Sequence, residues 1–176
     1  MSEEAWTTAV LLCVPEAESL VHAWRCTGDP CAARGVPAHV TLLGPFLPST
    51  AIDSGVLAEL AWFFAGVDAF SVRFSSVGCF DQGVLYLDPD GPALDELAAA
   101  LARRWPETTP YEGRHEQPHA HLTVVHTADA PLRTRAHAAV EQGLPLVARA
   151  SHAALWVCDD TGRWSEHTTF PLGPAE

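Results

Sequence analysis

Two short apolar runs in this chain each carry a histidine and a threonine separated by one hydrophobic residue. They are His39-Val40-Thr41, within a run from Ala38 to Leu43, and His121-Leu122-Thr123, within a run from Ala120 to Val125. Both runs read as strands, and each is followed by a stretch of helical periodicity. The sequence of strand, His-x-Thr and helix thus returns 82 residues after its first appearance. Side chains in a strand alternate, so residues i and i+2 share a face. His39 therefore projects with Thr41, and His121 with Thr123, while Val40 and Leu122 point the other way. A fold for this chain must give each unit a polar side open to a ligand and an apolar side packed on a core.

The remaining elements follow from pattern. Thr7 to Val14 reads as a buried strand, and Pro15 opens a helix whose stripe is Leu20, Val21 and Trp24. The stretch from Thr27 to Pro37 is rich in turn residues. Asp53 or Ser54 caps a helix running through Leu57, Leu60, Phe63 and Phe64. Phe70–Phe80 and Val84–Asp88 alternate around Asp81-Gln82-Gly83 and predict a hairpin. Pro92–Arg104 is a helix with Leu94, Leu97, Ala98 and Leu101 on one face. Trp105–Pro118, which carries three prolines, is a loop, and Leu132–Gln142 is a further helix. Two last strands are expected over Leu146–Val157 and Trp164–Phe170. Hairpins and long connections among loosely alternating strands and helices predict an α+β fold with antiparallel pairing. A length of 176 residues predicts one domain spanning 1–176.

Composition narrows the chemistry. There is no lysine; all ten basic residues are arginine. Schiff-base catalysis, a Walker-type phosphate lysine and a covalent lysyl-nucleotide are excluded on that ground alone. The net charge of −12 speaks against a long nucleic acid as partner, because phosphate backbones are gripped by basic surfaces. It leaves room for a small nucleotide or an RNA end. No apolar stretch is long enough to cross a membrane, and the acidic start (Met-Ser-Glu-Glu) is unlike a signal peptide, so a cytoplasmic protein is expected; a monomer is the default expectation, which no sequence feature tests. Five scattered cysteines form no Cys-x-x-Cys pair and read as small buried hydrophobes.

If the two strands lie side by side, two imidazoles and two hydroxyls converge. One imidazole can accept a proton near neutrality while the other donates one, and hydroxyls can hold non-bridging phosphate oxygens. In-line displacement at phosphorus needs no metal or cofactor from such a set. Pro37-Ala38-His39-Val40-Thr41-Leu42 and His121-Leu122-Thr123-Val124 resemble the paired His-x-Thr-hydrophobic motifs of the 2H phosphoesterase superfamily. Within it, the likeness is to the 2′-5′ RNA ligase and RNA 2′,3′-cyclic phosphodiesterase group, and it covers nearly the whole chain. The resemblance implies a two-lobed, pseudo-symmetric fold with antiparallel sheets lining a central cleft. It implies hydrolysis of a 2′,3′-cyclic phosphate or a 2′-5′ phosphodiester, with His39 as proton donor to the leaving oxygen. By the same likeness His121 is the proton acceptor, and Thr41 and Thr123 hold the phosphate. One departure stands out. The family often places proline directly before the second histidine, whereas here Pro118 is three residues before it and His119 intervenes.

Other residues compete for roles. His119 shares the face of His121 and reads either as a substrate contact or, the better reading, as solvated where the strand begins. Arg114, in the loop before the second unit, is a candidate for the phosphate, as is Arg73. Phe46, Tyr111 and Trp164 are candidates for stacking on a base, with core packing the better reading for Phe46. His115-Glu116-Gln117-Pro118-His119 matches a zinc-protease pattern in letters only, because Pro118 is incompatible with the helix that chemistry needs. A non-catalytic nucleotide-binding module with the same cleft is the alternative reading.

Overall fold

Eight strands, some alternating and some (β1 and β7) buried almost throughout, pair antiparallel into one sheet ordered β6-β3-β4-β5-β2-β1-β7-β8. The structure, a computed structural model, describes residues 7–108 and 119–174. In chain order the strands and helices are β1 (Thr8–Cys13), α1 (Glu18–Gly28), α2 (Pro30–Ala33), β2 (His39–Leu43), α3 (Ser54–Ala65), β3 (Phe70–Cys79), β4 (Val84–Pro89), α4 (Ala93–Arg104), β5 (Leu122–His126), α5 (Ala130–Glu141), β6 (Leu146–Ala150), β7 (His152–Cys158) and β8 (Trp164–Pro171). Pro15 opens a single 3₁₀ turn that runs directly into α1, and the turn-rich stretch after α1 contains the one-turn helix α2. Asp53 caps α3 by accepting from the amide of Val56 at 2.9 Å, and Asp129 does the same for α5 through Leu132.

The strand order divides into two lobes of four strands, β6-β3-β4-β5 and β2-β1-β7-β8, which meet at β5 and β2. Each lobe contains the same unit of strand, helix and His-x-Thr strand: β1-α1-β2 in one and β4-α4-β5 in the other. The helices cross the seam, with α1 packed on β5 and α4 packed on β2. Gly28, at the end of α1, permits that approach: a Cβ there would lie 2.3 Å from a methyl of Val125.

One expectation is corrected. Leu146–Val157 is not a single strand; it breaks at Ser151 into β6 and β7, which pair with β3 and β1 in different lobes. Two strands one residue apart in sequence stand far apart in the strand order, so the sheet must curl until that edge nears the opposite lobe. Leu172, just after β8, donates its amide to the Ser151 carbonyl at 2.9 Å and ties the region together.

The helical face of the sheet holds the main core. Val40, Leu85, Leu87, Leu122 and Val124 meet Leu94, Leu97, Leu101, Leu60, Phe64 and Val140 there. Burying such side chains supplies about 1.5–3 kcal/mol each before entropy is charged against it. A smaller cluster, Ala9, Leu11, Val36, Ala154, Trp156 and Trp164, packs separately on the β1-β7-β8 lobe.

Candidate active site

The seam between the lobes is where the two His-x-Thr units lie. Val40 pairs with Leu122 across antiparallel β2 and β5, and both are fully buried on the helical side. Continuing that register by one residue in each direction sets His39 opposite Thr123 and Thr41 opposite His121. All four side chains are half-buried, on the face away from the core. Opposed Cβ atoms in such a pair are about 4.5–5.5 Å apart and diagonal ones about 7–8 Å. The histidines sit on one diagonal and the threonines on the other, a two-fold arrangement on one face of the seam. A positive charge on His121 lowers the proton affinity of His39, as expected of rings that face a common space.

Both rings are fixed in the same way. His39 Nδ1 donates to the carbonyl of Pro37 at 2.7 Å, and His121 Nδ1 donates to the carbonyl of His119 at 2.6 Å. A carbonyl can only accept, so each Nδ1 carries a proton, and the proton-exchanging atom left to each ring is Nε2. The peptide just before each histidine is held too. Glu18, at the start of α1, accepts from the Ala38 amide at 2.5 Å, and Asp95, in the first turn of α4, accepts from the Ala120 amide at 2.6 Å. A carboxylate near a helix N-terminus is itself favoured there by the helix dipole. The repeat thus extends beyond the motif: each helix carries the acid that pins the strand following it.

The two imidazoles nevertheless live in different fields. Burial pushes His39 down to about 4 from the usual 6.5, and the nearby Arg25 guanidinium adds to that effect. The hydrogen bond to Pro37 and the Asp29 carboxylate act in the opposite direction. Arg25 and Asp29 form a buried pair, Nη2 to Oδ2 at 2.8 Å and Nε to Oδ2 at 2.9 Å. His121 instead abuts two aromatic rings. Phe80 meets it edge-on with centroids 4.9 Å apart, Tyr86 lies 5.1 Å away, and Phe80 and Tyr86 stack on each other at 4.3 Å. Gly78, opposite Tyr86 in the β3–β4 pair, leaves room for that ring, since a Cβ at Gly78 would fall 2.3 Å from it.

Several sequence-based candidates lie elsewhere. Arg73 sits on β3, bonded to Ser75 and paired with Asp90, away from the two histidines. Phe46 is buried against Trp105, and Trp164 is buried in the smaller apolar cluster, so neither offers a free ring face. Arg114 and Tyr111 lie outside the described residues, as does the segment His115–Pro118. His119 is not left to solvent as expected. Its ring bridges two carboxylates, Asp88 at 2.8 Å and Asp95 at 3.0 Å. Among the described residues no group of three or more His, Cys, Asp or Glu side chains has an arrangement that could hold a metal ion, and no helix is long and apolar enough to cross a membrane. Sequence reasoning misses Glu18, Asp88, Asp95, Phe80, Tyr86 and the Arg25–Asp29 pair. The first-turn acids lie 20 and 25 residues before the amides they hold, so the 82-residue recurrence does not point to them.

Comparison with known proteins shows the family and the fold. Residues 13–162 match the family described as the 2′-5′ RNA ligase superfamily. Among solved structures, E. coli LigT complexed with 3′-AMP superposes with a TM-score of 0.63 at 16% identity, covering 96% of this chain and 99% of that one. The protein TT0787 of Thermus thermophilus gives 0.61 at 18% identity, over 96% and 100% of the two chains. A protein described as a phosphoesterase gives 0.61 at 17%, over 97% and 100%. At such identities these likenesses speak for the fold. No curated protein matches the chain in sequence.

Proposed function

The chain belongs to the 2′-5′ RNA ligase superfamily, and from that footing we propose that it is a metal-independent phosphodiesterase acting on a small 2′,3′-cyclic phosphate or a 2′-5′ phosphodiester. The observation that supports the reading is the Val40–Leu122 register, which puts His39, Thr41, His121 and Thr123 on the same face of neighbouring strands. His121 accepts a proton at Nε2 from the attacking water. The water oxygen bonds to phosphorus as the bond to the departing ribose oxygen breaks. His39 gives that oxygen its proton, also from Nε2. Thr41 and Thr123 donate hydrogen bonds to the non-bridging oxygens, where charge builds. His39 is neutral in the empty site at neutral pH, because burial opposes its charge. The phosphodiester anion supplies the opposing charge that lets it hold the proton it must give.

Two further observations favour a nucleotide over a simple phosphate ester. The stacked Phe80 and Tyr86 rings beside His121 offer an aromatic surface for a base. LigT, similar in fold, has been crystallised with NADP+, 3′-AMP and ATP.

The test is hydrolysis of 2′,3′-cyclic nucleotides and 2′-5′ dinucleotides in excess chelator. A general acid or base contributes about 10²–10⁴-fold, so His39→Ala and His121→Ala should each lower kcat by about that factor. Activity surviving both substitutions would end the two-histidine mechanism. Tight nucleotide binding with no turnover across the panel would point instead to a binding module.

A further inference from the structure

We propose that His119, held as an imidazolium between Asp88 and Asp95, is a positioning residue that orients the ring of His121 and makes that orientation depend on pH. The inference rests on the two-histidine reading for its consequence, but its geometry stands apart from it. His119 Nε2 lies 2.8 Å from Asp88 Oδ1 on β4, and Nδ1 lies 3.0 Å from Asp95 Oδ2 on α4. An ionised carboxylate only accepts, so both contacts are hydrogen bonds only when both ring nitrogens carry protons. The other oxygen of Asp95 accepts from the Ala120 amide, and the His119 carbonyl accepts from His121 Nδ1. The two residues before His121 are therefore anchored by side chain and by amide, and they hand the ring a fixed carbonyl.

The first unit shows what this replaces. Pro37 stands where His119 stands, its carbonyl takes the His39 Nδ1 proton, and Glu18 holds the next amide. The pyrrolidine ring there fixes φ without any partner. In the second unit an ionic clamp between two elements takes the place of that stiffness, and unlike proline it titrates.

Among the described residues, the groups facing His119 are Asp88 and the Tyr86 ring on β4, Asp95 on α4, and His121 beyond it. Arg103 shares a hollow with Asp95 further along α4. Burial of the His119 ring favours its neutral form, but the bonds to Asp88 and Asp95 outweigh this and raise its pKa above the usual value. Once the proton leaves on the alkaline side, only one nitrogen can donate, and two carboxylates face each other with no cation between them. The clamp then opens and the His119 carbonyl loses its fixed position.

The experiment combines histidine NMR titration with kinetics on wild type, His119→Gln, Asp88→Asn and His119→Pro. In the wild type the His121 ring signals should shift with the alkaline titration of His119. That step should vanish in His119→Gln and move to lower pH in Asp88→Asn. With a 2′,3′-cyclic nucleotide, His119→Gln should lose about 10- to 100-fold in kcat, as misplaced catalytic groups do, with a smaller change in KM. His119→Pro, which copies the first unit, should recover much of that loss and show no alkaline limb from the clamp. His121 signals and a pH profile unchanged in His119→Gln would overturn the proposal. So would a His119 midpoint that Asp88→Asn leaves in place, a readout that serves even if His119→Gln does not fold. If no protein hydrolyses any substrate, the catalytic reading fails while the NMR arm still decides the clamp.

Discussion

His39→Gln tests the electrostatic asymmetry of the site through folding alone. In the folded protein burial and Arg25 hold His39 down to about 4, whereas an unfolded histidine titrates near 6.5. Between those values the unfolded chain binds more protons than the native one, so native stability falls as pH falls through this window and levels off below about pH 4. The displacement corresponds to about 3 kcal/mol in full, with about 2 kcal/mol of it present by pH 5 and almost none at pH 7. Glutamine has no charge to acquire, so His39→Gln removes this term. The raised His119 acts with the opposite sign, stabilising below its unfolded midpoint and losing that contribution above its folded one. It is present in both proteins, as are the carboxylates, and cancels in the difference. Urea denaturation of wild type and variant from pH 4 to 8 should give curves separated by a constant above pH 7 that converge or cross towards acid, wild type losing about 3 kcal/mol relative to the variant. Inorganic phosphate, by favouring charged His39, should stabilise wild type increasingly as pH falls. Parallel curves across the whole range would refute the claim that His39 is held neutral by its surroundings.

Thr41→Val and Thr123→Val keep shape and lose one hydroxyl each. A hydrogen bond to a charged group is worth about 1.5–3 kcal/mol, so each should lower kcat/KM by about 10- to 100-fold while leaving Tm nearly unchanged, as steady-state kinetics and a melting curve would show. Gly78→Ala places a methyl within 2.3 Å of the Tyr86 ring. It should cost about 1–3 kcal/mol by overpacking, seen in urea melts, and should raise KM for nucleotides by moving the aromatic pair off His121.

Much of this fold is legible in the sequence because its signals are local. Alternation around Asp81-Gln82-Gly83 announces the hairpin of β3 and β4, and a leucine stripe announces α4. No local rule announces the pairing of β2 with β5; it follows only from the recurrence of His-x-Thr, since two strands far apart in sequence carry no mark of being neighbours. The break at Ser151 is invisible for a similar reason. Val147 and Arg149 alternate with Ala148 and Ala150 while the next strand is apolar almost throughout, yet nothing in the side chains records that the partner changes from β3 to β1. The clamp on His119 escapes a sequence reading because its two acids come from β4 and α4, 31 and 24 residues away, and only tertiary structure brings them together. Trp164 misleads because aromatic character alone does not tell a stacking face from a packed one.

The site is best understood as one backbone device used twice and then differentiated. In both lobes a helix-start carboxylate holds an amide, the preceding carbonyl holds an imidazole Nδ1, and the strand alternation buries a valine or leucine between the working residues. Identical surroundings would give two histidines of equal proton affinity, and acid–base exchange across a phosphate needs them to differ at the moment of reaction. The differences lie outside the repeated parts. One ring feels the Arg25–Asp29 pair, and the other rests on Phe80 and Tyr86, next to a histidine that bridges Asp88 and Asp95. The repeat therefore accounts for where the two rings stand, and under the proposed two-histidine reading it is the unrepeated neighbours that would set their separate roles. Exchanging those neighbours, rather than the histidines, is the change that would reverse their roles.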